Sequence, residues 1–361
     1  MQKNGTRLVF QLLFFFSAAQ GQTLLQQSFT GSITGQEILY NIFLPANYDT
    51  ATVGLPVIYH LHGAGGNQGG NQNVTVPVAL AEAFQSGAIN EHYIVVFPNG
   101  LGSSMWADSK DGLRPAETHL VEELIPHIDA NYKTLPGRAD RYIQGFSMGG
   151  FGAAKFIAKY PELFQSAVAF DGAMHDWATL VDNHPDIAEE MFDNDPVYYE
   201  DYAPWKFFRE KAADLADSVC FRMVVAGLTD YNYKLRDSLL QWNVDFDYLE
   251  TSCPHNLGCV LNEVGISSAA FQEDCSPLVP TQVVSPFQNK CLIYPNPTRE
   301  RLFLQYEAPL NSIRLLDLNG QLIRHWEQAP SELDLSELPP GMYYLQLSGN
   351  NYFQTLKVLK I

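Results

Sequence analysis

The stretch IQGFSMGGFG, residues 143–152, constrains the fold of this chain more than any other part of its sequence. It fits the pattern Gly-x-Ser-x-Gly, with Ser147 between Gly145 and Gly149. A short β-prone run precedes it, and residues 151–160 carry apolar side chains at helical spacing. The pattern therefore predicts a serine held on a sharp turn between a strand and a helix. The alternative interpretation is a glycine-rich helix start that only needs room.

Short apolar runs alternate with helical patterns along residues 22–285. The predicted strands are residues 38–44, 56–61, 94–97, 141–144, 166–170 and 221–226, and a long amphipathic helix is predicted over residues 117–132. Several of these strands are almost wholly apolar, which is typical of strands buried on both faces. Alternating strands and helices predict an α/β domain with a mostly parallel central sheet and helices on both faces.

Residues 172–218 interrupt that alternation. The segment includes MFDNDPVYYEDYAPWKFF and is rich in acidic and aromatic side chains. Its position beyond the carboxyl ends of the strands is where an inserted cap or a wall of a substrate site would lie. A pair of acidic, solvated helices whose aromatic side chains pack inward is the second interpretation, and both stay open.

The composition of the chain changes at about Ser285. Helical patterning ends there, and residues 286–361 read as short alternating strands with turns. We therefore predict two domains, an α/β domain over residues 22–285 and a small all-β sandwich after it.

The first 21 residues have the pattern of a signal peptide. Lys3 and Arg7 give a basic start, residues 8–16 are apolar but too few to span a bilayer, and residues 17–21 supply small side chains for cleavage. We expect the protein to be exported through the periplasm. No later run reaches the length of a transmembrane segment, so we expect none in the mature chain.

Composition and charge narrow the class of protein. With 46% apolar residues, the chain reads as an ordinary globular protein and not as a disordered one. Forty acidic and 22 basic residues give a net charge of −18. Nucleic acid is not an expected partner, because phosphate binding needs a positive field.

The sequence has five cysteines, Cys220, Cys253, Cys259, Cys275 and Cys291. An oxidising compartment permits disulfides, and the odd number leaves at least one thiol unpaired. We predict that at least one of Cys253 and Cys259 is oxidised and fixes the loop between them. Its partner could be the other of the two, Cys275 or Cys291.

A serine nucleophile needs a base that takes its proton and a carboxylate that orients the base. Among the histidines that follow Ser147, His325 lies in the predicted β domain. His175 and His184 come before the last strand of the α/β domain. His255 is therefore the candidate base.

Several aspartates are candidates for the orienting acid. Asp230, in AGLTDYN, is favoured because it follows the predicted strand 221–226 and lies between the serine and the histidine in the chain. Asp171, at the end of the strand SAVAF, is its rival. Asp245 and Asp247 are weaker candidates because they lie in or beside a predicted strand.

The oxyanion of a tetrahedral intermediate needs N–H donors. The backbone N–H of Met148, directly after the serine, is one candidate. The turn HGAGG, residues 62–66, offers the other, from Ala64 or Gly63.

His60 and His62 form an H-x-H pair of the kind that can ligate zinc. No acidic residue or third histidine follows within a few positions, and the oxyanion turn already accounts for His62. We therefore predict neither a metal nor a cofactor.

Five motifs together resemble the esterase D-like family of α/β-hydrolases. They are LHGAGG (61–66), VVFPNG (95–100), MWADS (105–109), ELIPHIDANY (123–132) and GFSMGGFGAAKFIAKYPELF (145–164). The family includes feruloyl and acetylxylan esterases, S-formylglutathione hydrolases and mycolyltransferases. The resemblance covers about residues 25–275 and implies Ser147 as nucleophile, Asp230 as acid and His255 as base. The sequence Asn-Leu-Gly-Cys after His255 departs from the family, in which many relatives carry an aromatic residue and then a tryptophan.

The tail resembles a C-terminal sorting domain of the type IX secretion system of Gram-negative bacteria. The resemblance rests on YPNPTRERL (294–302), LLDLNGQLI (315–323), LDLSELPPGMYYLQL (333–347) and the terminal KVLKI. It implies that the type IX secretion machinery is a partner of the protein. A carbohydrate-binding sandwich is the alternative interpretation.

The residues and the resemblance together predict a secreted or cell-surface serine esterase that works through an acyl-enzyme. Family resemblance favours feruloyl or acetyl esters of xylan as the substrate. Two alternatives stay open, a serine peptidase like the prolyl oligopeptidases and a non-catalytic surface binding protein.

Overall fold

The computed structural model describes residues 22–215, 219–275, 292–294, 298–305, 310–316, 322–349 and 352–360. The chain divides into two compact units, Met1–Val279 and Pro280–Ile361. The predicted signal peptide and the predicted domain boundary at Ser285 both lie outside the described residues.

An eight-stranded sheet forms the centre of the first unit. Its strands are β1 (Thr23–Thr30), β2 (Glu37–Leu44), β3 (Val57–Leu61), β4 (Ile94–Pro98), β5 (Arg141–Phe146), β6 (Ser166–Phe170), β7 (Cys220–Val225) and β8 (Asp247–Glu250). Their order across the sheet is β1-β2-β4-β3-β5-β6-β7-β8. The pairs β1·β2 and β2·β4 are antiparallel, and the remaining pairs are parallel. The predicted α/β fold with a mostly parallel central sheet is confirmed.

The central strands lie where their apolar sequences predict. Every residue of β3, β4 and β6 is buried, because helices cover both faces of a parallel sheet. The edge strand β1 was not predicted, since its exposed and half-buried residues alternate and form no apolar run. An edge strand with one solvated face lacks the signal that marks a buried strand.

The helices of the first unit cover the two faces of the sheet. They are α1 (Gln72–Gln85), α2 (Ala116–Thr118), α3 (Ile125–Asn131), α4 (Met148–Lys159), α5 (Trp177–Asn183), α6 (Pro185–Phe192), α7 (Pro196–Glu200), α8 (Pro204–Glu210), α9 (Ala212–Leu215), α10 (Thr229–Gln241) and α11 (Leu257–Glu273). The helix predicted over residues 117–132 is present, but a π-helical segment, His119–Leu124, joins α2 to α3. In the described residues, no helix is both long enough and apolar enough to cross a membrane.

The segment between β6 and β7 folds into the short helices α5 to α9. Its aromatic side chains pack inward, which agrees with both interpretations of this segment. Phe192 and Tyr199 are buried, and their rings meet edge to face with centroids 5.0 Å apart. The ring of Trp177 lies beside that of Tyr199, with centroids 5.5 Å apart.

A buried ion cluster joins α2 to α4. The Nζ atoms of Lys155 and Lys159 each lie 2.6 Å from one carboxylate oxygen of Glu117, and the Tyr160 hydroxyl donates to the same carboxylate at 2.6 Å. Burial lowers the pKa of Lys155 to about 8, although Glu117 acts in the opposite direction. Burial acts to raise the pKa of Glu117, but the two ammonium groups hold it below its usual value. Lys155 also donates to the Trp106 carbonyl at 2.5 Å.

Substituting Glu117→Gln should lower the free energy of unfolding by about 3–5 kcal/mol, because it leaves a buried ammonium group without its counter-charge. Urea denaturation measures this change. The matched control is Glu122→Gln on the exposed side of the same helical stretch, which should change stability by no more than about 0.5 kcal/mol. Equal effects of the two substitutions would contradict the stabilising role of the cluster.

The second unit is a small β domain, as predicted. Its described strands are β9 (Leu292–Tyr294), β10 (Arg301–Gln305), β11 (Leu310–Leu316), β12 (Leu322–Trp326), β13 (Glu332–Asp334), β14 (Gly341–Gly349) and β15 (Tyr352–Lys360). They form a three-stranded sheet, β13-β10-β9, and a four-stranded sheet, β12-β11-β14-β15. Leu302, Ile313 and Leu345 are fully buried members of its hydrophobic core.

Candidate active site

Ser147 lies on the turn between β5 and α4, with φ 59° and ψ −120°. A non-glycine residue rarely adopts a positive φ, so the surrounding turn must enforce this conformation. A Cβ atom at Gly145 would overlap the backbone of Gly149, and a Cβ atom at Gly149 would overlap the carbonyl of Leu61. The glycines of the motif therefore permit the close packing that holds Ser147 at the carboxyl end of β5. The predicted strand, turn and helix are all present.

A hydrogen-bonded chain runs from Ser147 through His255 to Asp171. The Nε2 atom of His255 lies 3.0 Å from the Ser147 Oγ, and its Nδ1 atom lies 2.6 Å from the Asp171 Oδ2. An ionised carboxylate only accepts, so Nδ1 carries the proton and donates to Asp171. Nε2 is then the acceptor for the Ser147 hydroxyl. In this arrangement an imidazole can take the proton of a serine hydroxyl.

The structure places Asp171, and not the favoured Asp230, beside His255. Asp171 directly follows β6, the strand beside β5, and its side chain is fully buried. Its Oδ1 accepts the backbone N–H groups of Ala226 and Leu228 at 2.9 and 3.0 Å. Asp230 is exposed in the first turn of α10. Asp171 therefore lies beside His255, in the position predicted for Asp230.

Chain order alone could not separate these two aspartates. Both follow a strand and both lie between Ser147 and His255 in the sequence. Their strands differ in sheet order: β6 pairs directly with the nucleophile strand β5, while β7 lies one strand further away. Asp245 lies outside the described strands, and Asp247 pairs with Arg222 at 2.7 Å.

The loop that carries His255 is fixed from both sides. Cys253 and Cys259 form a disulfide across it, which confirms the prediction and selects one of the three partners left open. Asn256 caps α11, because its side chain accepts the backbone N–H of Cys259 at 2.9 Å. The imidazole ring also stacks on Phe146, with centroids 4.5 Å apart.

A second disulfide joins Cys220, the first residue of β7, to Cys275, two residues beyond the end of α11. The fifth cysteine, Cys291, lies outside the described residues.

The predicted oxyanion donors flank the nucleophile. Met148 is the first residue of α4, and the first N–H groups of a helix have no acceptor within it. A Cβ atom on Gly63 would lie 3.3 Å from the Ser147 Cβ, so the Gly63 backbone passes directly beside the serine. Ala64 is exposed at the next position of the turn. These positions leave Gly63 and Ala64 both available as the second donor.

His62 holds the oxyanion turn in place. Its Nε2 accepts the Gly100 N–H at 2.8 Å, so its Nδ1 carries the proton and donates to the Gly63 carbonyl at 2.8 Å. Burial lowers the pKa of His62 to about 4, which keeps the ring neutral and preserves this pattern. Trp106, fully buried, donates its indole N–H to the His62 carbonyl at 3.2 Å.

His60 does not form a metal site with His62. Its Nδ1 lies 3.1 Å from the Gln144 side-chain nitrogen, and both ring nitrogens of His62 already bond to the protein. In the part of the chain that the structure describes, no group of three or more His, Cys, Asp or Glu side chains is placed to hold a metal.

Residues 31–217, which include the serine turn and the Asp171 position, match the family model Esterase, described as "Putative esterase". The chain belongs to this esterase family. Residues 292–361 match a second model, described as a secretion system C-terminal sorting domain. Both resemblances predicted from the sequence are confirmed, and the sorting domain indicates a secreted or cell-surface protein.

Two relatives are similar in sequence to part of this chain. An esterase of Mycobacterium tuberculosis (strain ATCC 25618 / H37Rv) is 35% identical over 136 residues, which cover 37% of this chain and 28% of that protein. An endo-1,4-beta-xylanase/feruloyl esterase of Xylanibacter ruminicola is 31% identical over 150 residues, which cover 38% of this chain and 20% of that protein. The matches span less than a third of the length of either relative.

Solved structures of similar fold include a ferulic acid esterase, with a TM-score of 0.59 and 20% identity over 70% of this chain and 98% of that one. An S-formylglutathione hydrolase from Agrobacterium tumefaciens has a TM-score of 0.56 and 15% identity over 71% of this chain and 97% of that one. Similarity at these identities shows that the chain shares their fold, and no more.

Substituting Asp171→Asn should lower kcat/KM for ester hydrolysis by about 10⁴-fold, because an amide no longer holds His255 in the required tautomer. Asp230→Asn is the matched control, and its kcat/KM should stay within about threefold of the parent value. Steady-state kinetics on p-nitrophenyl acetate measure both variants. A larger loss in Asp230→Asn than in Asp171→Asn would restore the original choice of acid.

Removing one disulfide should affect mainly activity, and removing the other should affect mainly stability. Chain-entropy arguments give a loss of about 2 kcal/mol on removing Cys253–Cys259 and about 4 kcal/mol on removing Cys220–Cys275, because the second bond closes a much longer loop. Only the first bond borders His255. The double variant Cys253→Ala, Cys259→Ala should therefore lose at least about tenfold in kcat, while Cys220→Ala, Cys275→Ala keeps its kcat.

Thermal unfolding and steady-state kinetics on both double variants test this separation. Unchanged kcat without the Cys253–Cys259 bond would show that Asn256 and the stacking on Phe146 fix the loop without it.

Proposed function

We propose that the protein is a serine esterase that cleaves carboxylic esters through an acyl-enzyme on Ser147. The observation that supports this most strongly is the hydrogen-bonded chain of Ser147, His255 and Asp171 at the carboxyl edge of a parallel sheet. Membership of the esterase family supports the reaction class.

In the first step, the Ser147 Oγ attacks the ester carbonyl carbon while His255 Nε2 takes the hydroxyl proton. The carbonyl oxygen becomes an oxyanion, which the N–H of Met148 and a second N–H from Gly63 or Ala64 would stabilise. The bond to the alcohol oxygen then breaks, and His255 gives its proton to the departing alcohol. The acyl group stays on Ser147.

In the second step, water attacks the acyl carbon and His255 takes a proton from that water. The bond between the acyl carbon and the Ser147 Oγ breaks, and the proton returns from His255 to the serine. A carboxylic acid leaves. Asp171 stays ionised throughout and stabilises the imidazolium that forms in each step. These steps use only the chain's own residues and water.

We further propose feruloyl or acetyl esters on plant polysaccharides as the substrates. The relative from Xylanibacter ruminicola is named a xylanase and feruloyl esterase, and a ferulic acid esterase shares the fold. The secretion sorting domain supports an extracellular substrate. We propose that the type IX secretion machinery recognises this domain during export.

Substituting Ser147→Ala should lower kcat/KM by about 10⁴-fold or more, because the acyl-enzyme can no longer form. The assay compares p-nitrophenyl acetate, methyl ferulate, acetylated xylan and a prolyl peptide. We expect the parent to hydrolyse the esters and to leave the peptide intact. Activity of Ser147→Ala within tenfold of the parent would contradict the nucleophile, and preferred cleavage of the peptide would favour the peptidase alternative.

A further inference from the structure

A cavity of about 410 Å³ opens in the first unit, among the helices that follow β6 and against α10. Its walls include Trp177, Tyr199 and Trp205, with Asp176, Lys234 and Ser238 at the polar side. The volume falls within the range of about 300–1,000 Å³ that is usual for sites binding small molecules. Neither the serine nor the histidine of the active site lines this cavity.

The aromatic wall contains one buried and two half-buried rings. Tyr199 is buried and donates its hydroxyl to the His175 carbonyl at 2.5 Å, so it forms a fixed backing for the aromatic wall. Trp177 packs against Tyr199 with centroids 5.5 Å apart, and both Trp177 and Trp205 remain partly exposed. Rigid aromatic faces of this kind bind a flat apolar surface at low entropic cost.

The polar wall carries both donors and acceptors. Lys234 donates to Asp176 at 2.9 Å and to the Thr179 hydroxyl at 3.0 Å, and an ammonium group has a third N–H to give. Ser238 donates to the Lys234 carbonyl at 2.9 Å, so the lone pairs of its hydroxyl are free to accept. Glu200 adds an exposed carboxylate at the same cavity.

We propose that this cavity binds a neutral sugar ring of a polysaccharide. A pyranose has an apolar C–H face that fits an aromatic wall, and hydroxyls around its rim that each donate and accept. A cationic ligand would use the aromatic faces and the Glu200 carboxylate, but it would offer no acceptor to the third N–H of Lys234. A purely apolar ligand would leave the charges of Lys234 and Glu200 without polar partners. The sugar ring is the ligand class that uses both walls.

Short backbone hydrogen bonds connect the cavity with the serine turn. The Ala173 N–H donates to the Ser147 carbonyl at 2.8 Å, and the His175 N–H donates to the Ala173 carbonyl at 2.7 Å. Tyr199 binds the carbonyl of the same His175. The cavity and the nucleophile therefore share one rigid segment after β6. A polysaccharide held in the cavity would keep its ester groups near Ser147, and this last step alone rests on the proposed function.

Titration of the full chain with xylotetraose and with cellotetraose tests the proposal, because neither carries an ester. We expect saturable binding of at least one, seen by calorimetry and by tryptophan fluorescence. Trp205→Ala should weaken that binding about tenfold or more. Ser238→Phe fills the cavity and leaves its aromatic wall in place, and it should weaken binding to the same extent. It keeps the test valid if Trp205→Ala fails to fold.

The matched control is Phe84→Ala, which removes an exposed aromatic ring on α1 that stacks on His92 away from the cavity. The dissociation constant of this variant for the sugar should stay within about twofold of the parent value. Ser147→Ala should bind as the parent does, so the sugar site is tested even if the esterase proposal fails. Three results would overturn the proposal: binding of neither tetrasaccharide, binding by both the Trp205 and the Ser238 variants as tight as that of the parent, or saturable binding of tetramethylammonium in place of the sugars.

Discussion

The carboxylate of Asp171 is fully buried, and the geometry of the active site depends on how the fold satisfies that charge. A buried carboxylate is costly unless hydrogen bonds compensate for the lost water. Here two backbone N–H groups after β7 and the imidazole of His255 supply them. The Asp171 N–H also donates to the Val224 carbonyl at 2.6 Å. One side chain thus ties together β6, the loop after β7 and the loop that carries the base.

The oxyanion turn depends on a second buried chain of contacts, which begins at the ion cluster. Lys155, paired with Glu117, donates to the carbonyl of Trp106, and the indole of Trp106 donates to the carbonyl of His62. His62 in turn fixes Gly63, which lies beside Ser147. The charge pair between α2 and α4 therefore supports the donors that would stabilise the transition state. Preorganised donors of this kind act without reorganising during the reaction.

Much of this arrangement could be predicted from the sequence. The pattern around Ser147, the buried apolar strands and the position of His255 between two cysteines each have a local signal that the structure reproduces. The acid could not be chosen in that way, because Asp171 and Asp230 have the same local pattern and differ only in the sheet order of their strands. The edge strand β1 and the π-helical segment His119–Leu124 depend on packing that no short stretch of sequence encodes. Residues of α5, α7, α8 and α10 line the cavity beside Trp177 and Trp205, so no single motif could reveal it.

The most direct test of the central claim is covalent labelling of the folded protein with diisopropyl fluorophosphate, which reacts with an activated serine. Intact mass spectrometry followed by peptide mapping identifies the labelled residue without any assumption about the natural substrate. The account predicts one adduct per chain, located on Ser147. It predicts no adduct when the protein is denatured before the reagent is added, and none in His255→Ala. An unlabelled protein, or an adduct on a residue other than Ser147, would contradict it.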